Sequence, residues 1–457
     1  MRRFLVCLAV GSLVNLSAAP GTAFAQGYSV NEHSACATGR AGTAVASPCP
    51  DGSAMVYNPA GVALQKKGTA VLTVGGTFIA PSGKFTDDNT GLESRLNDKV
   101  FPIPQFYYQR GITDRFGVGL GVFAPYGLTT DWPTSSQGRY LGYKSVIRAI
   151  YVQPTVAAKI TDQIMIGAGF DVNFLHLQLR QRVDLSTQVL PLPGNPTFGN
   201  LGIPTGTDFA DANLHGNATG VGYHLGLLIK PVDRFSLGVR YMSRQKVTVD
   251  NATADFAQVS TGIILAAGNP FGVPAGTPLD AIVAGEFTGS GPLTSQKGST
   301  ALRMPEQLTL GVAVDVTKKF MALFDATYSN WRVFDTLGLT FEKLPAVALP
   351  EEFQKVWAYR IGGEYAVSPS TAIRLGYINH DGAAPPQTVT PNLPEGARAE
   401  FTGGVGTKLG QNLHVDLAYM YIDQADRRGR TAPNPPPATG LYKFHAHLFG
   451  ATFTYAF

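Results

Sequence analysis

The residues that could do chemistry fall into three sets. Cys36 and Cys49 are the two cysteines outside the N-terminal leader, which takes Cys7 with it. In an oxidising compartment two cysteines 13 residues apart most simply form one disulfide, and with His33 they supply too few ligands for a metal site. His445 and His447 share one face of the last segment and could serve a hydrolase with a serine and an acid, but no nucleophile motif or ordered triad accompanies them. The third set is charged: Arg148, His176, Arg180, Arg240, Arg332, Arg360, Glu364 and Arg374 interrupt apolar stretches. A basic group in an apolar pocket can pair with a carboxylate at low dielectric, which makes His176, Arg180 and Arg332 ligand candidates; the bland alternative is a mutually paired network. The chain contains no Gly-x-x-x-x-Gly-Lys-Ser/Thr, so neither a nucleotide-driven step nor a cofactor is expected, and the reading is a non-enzyme.

The elements that position these residues are strands. The closing segment Phe449 to Phe457 alternates, with Phe449, Phe453, Tyr455 and Phe457 on one face and Gly450, Thr452 and Thr454 on the other. Arg2 and Arg3, an apolar run from Phe4, and Ala23-Phe24-Ala25 read as an export signal over residues 1–25. No later apolar run is long enough for a helical span. With 15% charged residues, 52 glycines and mean hydropathy near zero, the chain suits alternating lipid-facing and lumen-facing positions, and its near-neutral charge gives no reason to expect nucleic acid. From residue 69, fourteen alternating segments are joined by six short polar turns on one side, such as Thr113-Asp114-Arg115 and Ser368-Pro369-Ser370, and by long loops on the other. The expected fold is all-β: a fourteen-stranded antiparallel transmembrane barrel over 69–457, with residues 26–68 as a small hatch in its lumen.

Several motifs carry a family resemblance. Asp51 to Gly61, with Asn58-Pro59-Ala60 as its sharpest piece, then Phe116 to Gly121, Tyr126-Gly127-Leu128, Met304-Pro305-Glu306 and the terminal Tyr455-Ala456-Phe457 resemble the FadL/TodX (OmpP1) outer-membrane transporters of hydrophobic compounds. The resemblance implies passive uptake: capture by loops, rearrangement of the hatch, and lateral exit through a kink in the third strand. Gly117, Gly119 and Gly121 on one face of that strand, with Pro125 after them, fit a kink, or else make room for the hatch. Phe198 and Phe209 in one long loop and Ile263 and Phe271 in another suit an apolar ligand, or pack on each other over the barrel mouth. Fatty-acid members are expected to hold a carboxylate with basic groups, yet Phe334-Asp335-Thr336-Leu337-Gly338-Leu339 after Trp331 has none, which leaves aromatic and alkane hydrocarbons open beside fatty acids. The implied partners are a hydrophobic small molecule, outer-membrane lipid and lipopolysaccharide, and the barrel assembly machinery, around a monomer. A polar porin or an outer-membrane hydrolase are the other readings.

Overall fold

The computed structural model describes residues 27–97, 99–190, 193–430 and 439–457. The export signal expected over residues 1–25 lies outside them.

The strands form where branched and aromatic residues alternate with small or polar ones, and every strand pairs antiparallel. Around the wall run β1 (Ala70–Asp87), β2 (Phe101–Gly111), β3 (Phe116–Asp131), β4 (Lys144–Lys159), β5 (Ile164–Asp184), β6 (Asp208–Val232), β7 (Phe235–Met242, resuming over Gln245–Gln258), β8 (Gln296–Met304, resuming over Gln307–Asp315), β9 (Phe320–Asn330), β10 (Lys355–Ala366), β11 (Thr371–His380), β12 (Arg398–Leu409), β13 (Leu413–Arg430) and β14 (Thr439–Ala456). Each pairs with the next. β14 closes on β1 from Val71↔Ala456 to Asp87↔Gly440, so the last strand has no free edge.

Alternation sorts the side chains. Val74, Phe78, Phe170, Val221, Ile361, Leu375, Phe449 and Phe453 point outward and are exposed, whereas Thr73, Thr77, Asp171, Arg360, Asp416 and Thr452 point inward and are buried. An apolar outside around a polar inside is the reverse of a barrel built for water and matches a wall facing lipid. The six tight turns lie at one end, together with Phe457. At the other end several strands run further than their alternation suggested: β1 continues through Lys84 to Asp87, β6 begins at Asp208, and β7 extends to Gln258. These rims pair with each other, as His215↔Thr253 and Ala210↔Gln258 do, so backbone pairing continues where the apolar alternation has stopped.

Residues 27–68 sit inside the wall. They form α1 (Ala35–Gly39), α2 (Ala54–Tyr57) and a 3-10 turn over Pro59–Leu64. Ser34 caps α1 by accepting from the Ala37 N–H at 3.2 Å, and its hydroxyl donates to Asp51, which also accepts from the Ser53 N–H at 3.0 Å. Cys36 and Cys49 are joined by a disulfide. Closing a loop of this length contributes roughly 3 kcal/mol, useful for a segment too short to bury a core of its own.

Candidate functional site

The hatch is tied to the wall on most sides. Asn58 donates to the carbonyls of Val45 (2.7 Å) and of Leu227 in β6 (2.9 Å), while its side-chain oxygen accepts from the Ala60 N–H at 3.1 Å. Pro59 starts the turn that follows, where its fixed φ and missing donor do no harm, and Ala60 is wholly buried. Around the rest of the rim, Asp325 accepts from the Ala44 and Val45 N–H groups, Arg40 pairs with Glu364 at 3.3 Å, and Arg374 bridges Glu364 and Asp416 at 2.6 Å each. Most of the lumen charges therefore act as hatch and wall ties.

Two of the three β3 glycines, Gly117 and Gly119, face this hatch, while Gly121 faces Tyr107 and Phe123 of the wall. A Cβ on Gly117 would lie 2.4 Å from the Val62 carbonyl oxygen, and one on Gly119 2.4 Å from the Met55 sulfur; one on Gly121 would meet only ordinary contacts. All three stand in unbroken register with β2, as Gly111↔Gly117, Gln109↔Gly119 and Tyr107↔Gly121. At Gly117 and Gly119 the missing side chain lets the hatch approach closely.

The ladder breaks one step later. Pairing of β2 with β3 ends at Phe106↔Val122, although β2 stays paired to β1 up to Phe101↔Ile79. On the far side of β3, register with β4 shifts between Phe123 and Tyr126, a bulge that contains Pro125. β2 supplies the matching half: Phe101-Pro102-Ile103-Pro104 places two prolines in alternate positions. A proline inside a ladder must turn its donorless nitrogen away from the strand it pairs with, so Pro102 and Pro104 strip two N–H groups from the β3 side.

The first residues of the hatch occupy the edge of β3 that β2 has left. Ser29 bridges Tyr126 antiparallel, with the Val30 N–H donating to Pro125 and the Gly127 N–H donating to Tyr28, both at 2.9 Å. The ring of Tyr28 lies edge-on against Trp331 (4.7 Å between centroids), Phe334 (5.6 Å) and Tyr126 (6.0 Å). Gly27 has positive φ and no space for a Cβ against Trp331, and its N–H donates to Glu395 at 2.7 Å.

A cavity of about 570 Å³ lies beside this arm and reaches through the break. Its wall is mostly apolar, including inward Ile103, Phe123 and Leu448 together with Phe106, Val122 and Ile150 from the outward face. One pole is polar, made by Glu32, His380, Glu395, Arg398 and Glu400. Glu395 is satisfied by the N–H groups of Gly27, Ala383 and Ala384. Burial, and then the neighbouring Glu400, push the Glu32 carboxyl up to about 7. Residues 381–397 fold inward over the cavity, held by Trp132 donating to Pro391 and by Asn392 donating to Leu141.

The ligand candidates chosen from the sequence do not meet here. His176 points outward and bonds Asn217 at 2.9 Å. Arg180 pairs with Asp211 at the outer rim at 3.0 Å, and Arg332 is exposed. Their strands alternate as expected, but parity and height place them away from the lumen pocket. Phe198, Phe209, Ile263 and Phe271 do come together, in an extracellular cluster around Leu185, Leu265 and Leu279, with Phe198 and Phe271 at 5.7 Å. Among the described residues, none from these two loops lines the cavity. His445 and His447 face outward, where His447 meets the Tyr419 hydroxyl at 2.8 Å. The cavity's own polar residues were missed, because Glu395, Arg398 and Glu400 sit in and just after a loop with no strong pattern. Two alternate prolines in β2 were the available signal for the break in the β2 to β3 ladder.

Comparison with known proteins agrees with this architecture. The chain is 22% identical over 449 residues to the long-chain fatty acid transport protein of Escherichia coli K12, covering 95% of each, and 23% identical to outer membrane protein P1 of Haemophilus influenzae, covering 96% of this chain and 97% of that one. It shares its fold with a Pseudomonas aeruginosa FadL homologue (TM-score 0.77, 21% identity, 94% of this chain and 99% of that one) and with the Pseudomonas putida toluene transporter TodX (TM-score 0.67, 16% identity, 95% and 99%). The family model for outer membrane protein transport proteins (OMPP1/FadL/TodX) matches residues 16–457. The chain therefore belongs to the OMPP1/FadL/TodX family, a β-barrel transport protein of the bacterial outer membrane and not an enzyme.

Proposed function

We propose that this protein carries a hydrophobic compound passively across the outer membrane, by loop capture, movement of the hatch arm, and sideways exit between β2 and β3. The observation that carries the reading is the cavity that runs from inward Ile103 and Leu448 to outward Phe106 and Ile150 through a break in the ladder. An apolar solute leaving there passes from the pocket into the lipid-facing belt without crossing water, which is the costly step for such a molecule. The cavity is of the size that holds one small ligand.

The hatch arm is the movable part. Residues 27–30 hold β3 by two backbone hydrogen bonds, whereas the body of the hatch carries the disulfide, the Asn58 ties and the Arg40 and Asp325 contacts. Withdrawal of the arm enlarges the pocket and leaves the hatch in place. The apolar cluster of Phe198, Phe209, Ile263 and Phe271 is the outer landing surface. Long-chain fatty acids and aromatic hydrocarbons, named for the E. coli and P. putida relatives, are the two substrate classes this route admits.

The test is uptake of radiolabelled oleate and toluene by cells whose own transporters of this type are deleted, with and without this chain. Uptake of at least one above the empty-cell rate is expected. Equal uptake with and without the protein, alongside a large steady conductance in planar bilayers, points to a polar porin instead.

A further inference from the structure

The apolar outer face of β4 and β5 runs up to Ile150 and Phe174, 44% and 50% exposed. The next outward pair toward the extracellular end is Arg148 and His176, which stand opposite each other in the ladder. Two residues of strand cover roughly 7 Å, so this pair forms the first polar row above the apolar belt, at the level of outer-leaflet headgroups. Arg148 is exposed, and together with Ile150 it lines the cavity. Its partner in β3 is Gly127, which brings no side chain between the guanidinium and the break. Among the described residues the Arg148 side chain has no ion-pair or hydrogen-bond partner. The acids of the rim beyond are engaged by other cations, Asp131 by Lys99 and Lys144, Asp211 by Arg180 and Arg182.

A guanidinium at the edge of hydrocarbon is stabilised by an anion, and its planar fork matches a carboxylate. A molecule leaving through the break with its apolar body among Phe106, Val122 and Ile150 puts its outward end beside Arg148. A carboxylate at that end gains a partner, whereas a neutral hydrocarbon has no group to offer. A lipopolysaccharide phosphate carries the right charge too, but its acyl chains are anchored in the leaflet and not in the cavity that Arg148 lines.

We propose that Arg148 is a specificity-determining residue at the outer lip of the break, and that the cargo it favours is an apolar chain ending in a carboxylate, over a neutral molecule of the same length. The proposal rests on the transport reading above, since it takes the break to be the way out.

Three radiolabelled substrates separate the possibilities: oleate, oleyl alcohol of the same chain, and toluene, each followed as initial uptake at pH 7.5 by cells whose own transporters of this type are deleted, and scored per assembled barrel. Arg148→Gln is expected to lower the ratio of oleate to oleyl alcohol uptake about fivefold, the lower range of a charged hydrogen bond at a partly exposed site. Arg148→Glu lowers it further, and Arg148→Lys, which keeps the charge, restores most of it. A ratio unchanged by Arg148→Gln and Arg148→Glu overturns the inference, as does an equal fall in all three substrates, which is the result expected if Arg148 holds a lipopolysaccharide phosphate. Uptake of toluene but not oleate by the unaltered protein overturns the inference while the transport reading stands. Uptake of none of the three above the empty-cell rate overturns both.

Discussion

Ser29 of the hatch stands opposite Tyr126 of β3 as an antiparallel bridge, flanked by hydrogen bonds from Val30 N–H to Pro125 and from Gly127 N–H to Tyr28. The arm therefore takes a ladder position that β2 has given up. A covalent lock at this pair tests whether it must leave. Ser29→Cys with Tyr126→Cys, oxidised, is expected to reduce uptake at least tenfold and to recover it on reduction. Uptake unaffected by the lock means that the arm is a fixed part of the wall.

The prolines of β2 give a second prediction. Replacing Pro102 and Pro104 with threonine restores two backbone donors on the open side, and threonine suits a strand. The double variant is expected to extend the β2 to β3 ladder, to hold the two new amides at 102 and 104 protected from hydrogen exchange, and to slow uptake severalfold. Fast, unprotected exchange of those two amides shows that the prolines are not what keeps the strands apart.

The glycines of β3 separate by what faces them. Gly117→Ala drives a methyl against the Val62 carbonyl, backbone that cannot step aside, whereas Gly119→Ala meets the mobile end of Met55. Gly117→Ala is expected to cost about 1–3 kcal/mol and Gly119→Ala under about 1 kcal/mol, read as loss of heat resistance in detergent. Met55→Ala should rescue a larger residue at 119. Equal losses at both positions contradict the packing assigned to them.

Stability should also depend on pH through Glu32. Its carboxyl titrates near 7 in the fold, raised by burial and by Glu400, against 4.5 unperturbed. Between those values the unfolded chain has released a proton that the folded protein still holds. The fold is therefore fully favoured below about 4.5, loses stability as pH rises to about 7, and changes no further above that. Glu32→Gln removes this slope, so the variant should match the parent at pH 4 and exceed its melting temperature at pH 8. His33, pushed down to about 3 by burial, acts in the opposite sense but is common to both proteins and drops out of the difference. Parallel melting curves across pH contradict the assignment.

Much of the barrel was legible from residues alone, because a period of two and six polar turns leave few ways to arrange fourteen strands. The seam of β1 with β14 followed from the aromatic face of Phe449 to Phe457. His176 was misplaced by parity, since it lies between inward Leu175 and Leu177 and so points out; alternation also names a face without naming the facing partner. The hatch motif was visible, yet its meaning needed the fold, since Asn58 acts on Leu227, 169 residues away. Glu395 and Glu400 were invisible for the same reason. Nothing local marks a loop that folds inward.

The proposed exit between β2 and β3 is tested most directly by joining the two strands. Pro104→Cys and Ala124→Cys flank the break, and a short bis-maleimide can join them; Tyr359→Cys with Asn379→Cys, paired across intact β10 and β11, is the control. Uptake of the apolar substrate should fall to the rate of cells without the protein when the first pair is joined, and stay unchanged when the second is. Undiminished uptake through a barrel joined across β2 and β3 would contradict lateral exit.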